Sequence, residues 1–307
     1  MDGLPLEEKH VVGARFGFKG SRAMTESVAS LLQGIRVVTL APNLPGPAAA
    51  AHLVQLGAEV IKVEPPTGDP MARFNPVWYA EQHQGQSHHT LDLKQEAQRE
   101  RLHALLSEAD VLITSSRPAA LRRLQLDWPT LQARHPHLCQ VAIIGYPAPD
   151  EDRPGHDLTY LAEAGLLEPD RMPRTLAADL IGAERTVSTA LALLLSRQRT
   201  GKGAYASVAL FDGAQALAAP LRHGVTRPGG LLAGRLPEYA IYPARSGVVA
   251  VGCLEPHFSA RLAAELGLQR LTHASLGQAL RERDALDWER WAAERDLPIV
   301  ALRELAS

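Results

Sequence analysis

At 307 residues, with 46% apolar and 21% charged positions, the chain has an ordinary globular composition and the length for one large domain or two unequal ones. A formal net charge of −2, with arginines scattered among acids, argues against a nucleic-acid partner. Cys139 and Cys253 are the only cysteines, and without a CxxC or Cys/His cluster neither a disulfide framework nor a metal site is expected.

No apolar run approaches membrane-spanning length, and the first residues lack the basic-then-apolar plan of a signal peptide. A cytoplasmic protein away from membranes is therefore expected. Residues 1–24 show no clean periodicity and read as an N-terminal extension, with Met24 an alternative start. From Thr25 a short helix, TESVASLLQ, leads to Gly34, and IRVVTL (35–40) reads as a buried parallel strand. APNLPGP is a turn-rich loop, AAAAHLVQLGA a helix closed by Gly57, and EVIKVEPP a second strand stopped by Pro65 and Pro66.

This strand-loop-helix-strand opening begins a right-handed crossover unit. It lacks the G-x-G-x-x-G turn, which argues against a dinucleotide site of the usual kind, that of a nicotinamide dehydrogenase included. After a loop over 67–90, LDL leads to the helix QEAQRERLHALLSEA and the strand DVLITS. PAALRRLQ is a further helix, and CQVAII a strand in which Cys139 is a core residue. The alternation predicts an open α/β sheet.

HDLTYLAEAGLL reads as helical, and TLAAD precedes the long amphipathic helix IGAERTVSTALALLLSRQRT, stopped at Thr200-Gly201-Lys202-Gly203. AYASVAL is a strand running into Asp212. The large domain is thus read over 25–221, a Gly/Arg-rich linker over 222–235, a small domain over 236–275 and a helical C-terminal segment over 276–307. The small domain holds a hairpin, YAIYPARSGVVAVGCL, turning at Ser246-Gly247.

In order, GIRVVTLAPNLPGPAAAAHLVQLGAEVIKVEPPTGD, LDLK, EADVLITSSRPAALRRLQL, RPGHDLTYLAEAGLL, LAADL, RTGKGAYASVALFDGA and VGCLEPHF resemble successive blocks of the class III CoA-transferase family, which includes the α-methylacyl-CoA racemases. The likeness covers roughly residues 34–268. It implies a Rossmann-like open parallel sheet in the large domain, a smaller β-rich second domain, and two chains interlocked as a homodimer. Family active sites lie between the large domain of one subunit and the small domain of the other. Coenzyme A enters as part of the acyl-CoA substrate, with no permanently bound cofactor.

Two chemistries share that scaffold. Transferases use an aspartate nucleophile, which aligns with Asp179 in LAADL, and pass through an aspartyl-CoA thioester. Racemases use the same aspartate for proton transfer and add a histidine, His156 in the GHD block, paired with a glutamate, Glu255 in LEPHF. All three positions hold the racemase residue types, so an acyl-CoA racemase or epimerase of 2-methyl-branched thioesters is the first expectation. CoA transfer between carboxylates is the alternative, and a diverged non-catalytic member the third.

Inverting a carbon beside a thioester needs a base on one face and an acid on the other. It also needs donors for the enolate oxygen, and amides near Leu180 to Gly182 are candidates. Each residue also has a plainer reading: Asp179 as a helix N-cap, His156 as a turn residue, Glu255-Pro256 as a helix start. Asp157, beside His156, reads as a cap for the helix it begins.

The CoA-binding positions depart from the family. Pro65 stands where a basic residue usually follows the second strand, and Gln86 and Ser87 replace cations. Lys62, Arg117 and Arg123 remain as phosphate ligands, with Asn43 and Pro45 from the first loop; His88 and His89 are substitute donors. Glu184 and Arg185 follow Gly182-Ala183 where racemases carry glycines, and they are expected to narrow the cleft or to pair with each other. Set against the family, the C-terminal part is expected to be short, without the final segment that returns to the large domain.

Overall fold

The structure, a computed structural model, describes residue 28 and residues 30–303. The extension read over 1–24 lies outside the described residues. The chain divides into two compact units, one running to Asp157 and resuming over Thr175–Gly213, the other formed by Leu158–Arg174 and the chain from Ala214 onward.

The first unit is built on β1 (Arg36–Thr39), β2 (Glu59–Glu64), β3 (Ser87–Thr90), β4 (Val111–Thr114), β5 (Cys139–Ile144) and β6 (Tyr205–Ala209). They form one six-stranded sheet in the order β3-β2-β1-β4-β5-β6, parallel at every pairing. Every residue of β4 and β5 is buried, as expected of a parallel sheet covered on both faces. Strand order reverses between β1 and β4, and in such sheets the crevice for a ligand opens beyond the carboxyl ends of those strands. The expected Rossmann-like large unit is present.

The loop after β1 is held tightly. A Cβ on Gly46 would lie 2.3 Å from the Ala41 Cβ, so only glycine lets helix Pro45–Gln55 start so soon after the strand. Between β5 and β6 the approach is closer still, because a Cβ on Gly203 would lie 1.9 Å from the Leu138 carbonyl oxygen. Gly203→Ala is therefore expected to destabilise the protein by about 3 kcal/mol, read as a lower urea midpoint with unchanged slope.

One face of the sheet packs Val38, Ile61 and Leu112 against Leu102, Leu106, Leu131 and Leu138. His103 and His135 are buried beside them, with His103 Nδ1 and His135 Nε2 3.0 Å apart. Burial, then the neighbouring His103 and Arg134, pushes His135 down to about 4. The unfolded chain thus takes up protons there first, and stability falls as pH drops from 6.5 toward 4. In His135→Leu the Tm between those values is expected to lose this part of its pH dependence.

In the second unit, β7 (Tyr239–Pro243), β8 (Val248–Gly252) and β9 (Ile299–Ala301) form an antiparallel sheet in the order β7-β8-β9. The hairpin closes where expected, with Gly247 at φ +79 and Ala244 N–H donating to its carbonyl at 3.0 Å. Val249, Val251 and Ile299 pack against Leu262, Leu276, Leu280 and Trp288, and the Trp288 indole donates to the Leu280 carbonyl at 2.7 Å.

One stretch differs from the sequence reading. The segment from 276 is not a separate helical tail: it supplies β9 and half of this core. Residues 222–235, read as a linker, carry hydrogen bonds of their own. Leu232 N–H bonds the Val225 carbonyl at 2.9 Å, and the Arg227 guanidinium caps the carbonyls of Leu221 and Arg222. No described helix is long and apolar enough to cross a membrane.

Candidate active site

The carboxyl end of β5 leads into a loop anchored by Tyr146, which is buried, packs on Phe211 with ring centroids 5.2 Å apart and carries the Arg153 guanidinium 4.1 Å over its ring. Phe211 N–H also donates to the Gly145 carbonyl at 3.0 Å. The loop ends at His156, which is exposed, and helix Asp157–Glu163 begins at the next residue.

Asp157 does more than start that helix. Its Oδ1 accepts the backbone N–H groups of Ala178 at 2.7 Å and Asp179 at 3.0 Å, the unpaired amides that open helix Ala177–Thr200. Its charge also sits at the positive end of that helix. The side chain is buried, and Oδ2 has no hydrogen-bond partner. Asp157 thus reaches beyond the helix it begins and caps the one that starts twenty residues later, linking the residue after His156 to the backbone of Asp179.

Asp179 lies in the first helical turn, with Leu176 as the N-cap residue. It is thus inside the helix, not the N-cap. Burial, and then the charge of Asp157, pushes its carboxyl up to about 7. A carboxyl at that value is half-protonated near neutral pH and can both take and give a proton. The helix is held close at this point, since a Cβ on Gly182 would lie 2.2 Å from Leu210 Cδ2 and one on Gly213 2.7 Å from Ile181 Cγ2.

The amides expected to hold an enolate oxygen are engaged. Leu180 N–H already donates to the Leu176 carbonyl at 3.0 Å, and those after it belong to the helix ladder. Glu184 pairs with His52 Nδ1 at 3.2 Å rather than with Arg185, and it faces outward.

The sequence profile of CoA-transferase family III matches residues 32–306. The chain belongs to CoA-transferase family III. Among its relatives, human α-methylacyl-CoA racemase is 31% identical over 256 residues, covering 78% of this chain and 65% of that protein. Cinnamoyl-CoA:phenyllactate CoA-transferase of Clostridium sporogenes is 31% identical over 220 residues, covering 62% and 51%. A crystal structure of the Mycobacterium tuberculosis protein Rv3272 superposes with a TM-score of 0.77 at 26% identity, covering 89% of this chain and 85% of that one. The chain spans about half the length of the first curated relatives it matches. Relatives of both racemase and transferase type stand at similar identity, so family membership leaves the two reactions open.

Within this family member, the expected site residues fall into two groups. His156 and Asp179 both belong to the first unit, and Asp157, next to His156 in the chain, accepts the Asp179 backbone N–H. Glu255 belongs to the second unit, where it is exposed and precedes helix Pro256–Glu265 without a side-chain cap bond.

The CoA positions also divide. Arg117 and Arg123 are exposed at the two ends of helix Pro118–Arg123, just after β4. Asn43 is exposed at φ +63, and Pro45 is buried as the first residue of its helix. Lys62 does not fit its expected role as a phosphate ligand. It is 1% exposed, and its ammonium donates to the Ala41 carbonyl at 2.6 Å and to Asp69 at 3.1 Å. Asp69 in turn accepts the N–H groups of Asn43 and Met71, so the pair fixes the loop after β1 from within. A lysine on a strand buried on both faces needs such a partner.

Proposed function

We propose that this chain inverts the α-carbon of 2-methyl-branched acyl-CoA thioesters, with His156 and Asp179 as the opposing acid and base. The observation that carries this reading is the Asp179 carboxyl, half-buried and pushed up to about 7, on a residue whose backbone N–H donates to Asp157, the neighbour of His156 in the chain. One group removes the α-proton while the other returns a proton to the opposite face, and the roles exchange for the other enantiomer. The partner subunit's Glu255 orients the imidazole across the interface of a cytoplasmic homodimer. Coenzyme A, held by Arg117, Arg123 and the Asn43 loop, is the handle of the substrate, and no other cofactor takes part.

A single enantiomer of a 2-methyl-branched acyl-CoA is expected to become a mixture of both, and His156→Ala to slow this by about 10²-fold or more. Unimpaired inversion by His156→Ala would overturn the assignment. A second reading, CoA transfer between carboxylates, is supported by the cinnamoyl-CoA:phenyllactate relative and by the raised basicity of Asp179, which suits a nucleophile. Under that reading hydroxylamine traps Asp179 during turnover with a donor acyl-CoA, and His156 is dispensable.

A further inference from the structure

We propose that Glu64, Asp69 and His83 form a structural site for one first-row divalent cation of the zinc type, linking the end of β2 to the loop and short helix that follow it. A carboxylate oxygen from each acid and a ring nitrogen of His83 lie within 4.8 Å of one another, close enough for one ion to bridge them after a small adjustment. His83 is 6% exposed. Its Nδ1–H donates to the Tyr79 carbonyl at 2.6 Å, which fixes the tautomer and leaves the lone pair on Nε2. That Nε2 is buried and has no partner, although buried polar atoms nearly always find one.

An imidazole locked through one nitrogen by a carbonyl, with the other presented as a neutral lone pair, is how proteins hold a metal-ligating histidine. The Tyr79 hydroxyl donates to Glu64 Oε1 at 2.8 Å and leaves the other carboxylate oxygen for the ion. Charge points the same way. Lys62 neutralises one of the two carboxylates from 3.1 Å, so the cluster holds one negative charge in excess. Because Lys62 shares Asp69 with the ion, binding is expected in the micromolar range, with open positions filled by water. Asp69 also accepts the Asn43 N–H at 3.2 Å, so an ion there stiffens the loop beyond β1.

Cobalt(II) is the probe, added to the chelator-treated full chain and read by visible absorption and equilibrium dialysis. One equivalent is expected to bind with the spectrum of an imidazole–carboxylate complex and to be displaced by zinc. Glu64→Gln, which keeps an acceptor for Tyr79, and His83→Ala are each expected to weaken binding roughly tenfold or more, while His223→Ala, at an exposed position of the second unit, leaves it unchanged. The site is refuted if wild type takes up no stoichiometric cobalt at millimolar concentration. It is equally refuted if both variants bind with wild-type affinity and spectrum.

Discussion

Asp179→Asn is expected to lower the inversion rate by about 10³-fold and, at pH 8, to make the protein more stable. The two effects share one cause. In the folded protein the carboxyl keeps its proton up to about pH 7, whereas in the unfolded chain it loses it near 3.8. Between those values the folded state binds more protons, so stability falls as pH rises through the window and the full penalty remains above it. Discounted for partial solvent access, that penalty is on the order of 2–4 kcal/mol. An amide carries no charge to desolvate, so the variant gains this amount at pH 8, a Tm rise of roughly 5 °C or more, and nothing near pH 4. The buried His103–His135 pair gives wild type an opposite slope over much of the same range, so the comparison must be variant against wild type at each pH. A variant both inactive and more stable rules out misfolding as the cause of inactivity. Equal Tm values at pH 8 would show that the carboxyl is not held in an unfavourable setting.

Replacing Asp157 separates its two roles. Asp157→Ala leaves the Ala178 and Asp179 amides without their acceptor at a buried helix start, an expected cost of about 2–4 kcal/mol. Asp157→Asn keeps an acceptor oxygen, and since asparagine caps helices about as well as aspartate, the cost is expected to stay within about 1 kcal/mol. What asparagine removes is the negative charge that helps hold the Asp179 proton. The limb of the pH–rate profile set by Asp179 is then expected to move to lower pH while the fold stays intact. A purely structural role would leave that limb in place and change only the urea midpoint.

The sheet is largely legible because β1, β2, β4 and β5 are mainly apolar runs between helical segments, as parallel strands covered on both faces must be, while β6, at the edge, stands out as a short run between helices. β3 does not. Ser87-His88-His89-Thr90 is exposed throughout and is a strand only because β2 offers it a paired edge. Helices Met71–Phe74 and Pro76–Gln82 were lost in the same loop, being too short to show a period. β9 has three residues, too few to stand out from the helical pattern around it.

Asp179 and His156 could be picked out by their blocks, but the link between them could not. Asp157 was identified as a capping residue, yet which amides it caps is decided by tertiary packing. Lys62 did carry a readable signal. A lysine in the middle of EVIKVE, a run otherwise suited to a buried parallel strand, required an internal counter-charge, and Asp69 stands seven residues on. The cluster of Glu64, Asp69 and His83 is dispersed over three elements and has no recognisable spacing.

On the proposed reading, one bound thioester carbon lies between the carboxyl of Asp179 and the imidazole of His156. The most direct measurement is wash-in of solvent deuterium at C2 of a 2-methyl-branched acyl-CoA, followed by mass spectrometry with no carboxylic acid acceptor present. Label is expected in wild type, falling to background in Asp179→Asn. Absence of label in wild type, with acyl exchange appearing once an acceptor acid is added, would contradict it.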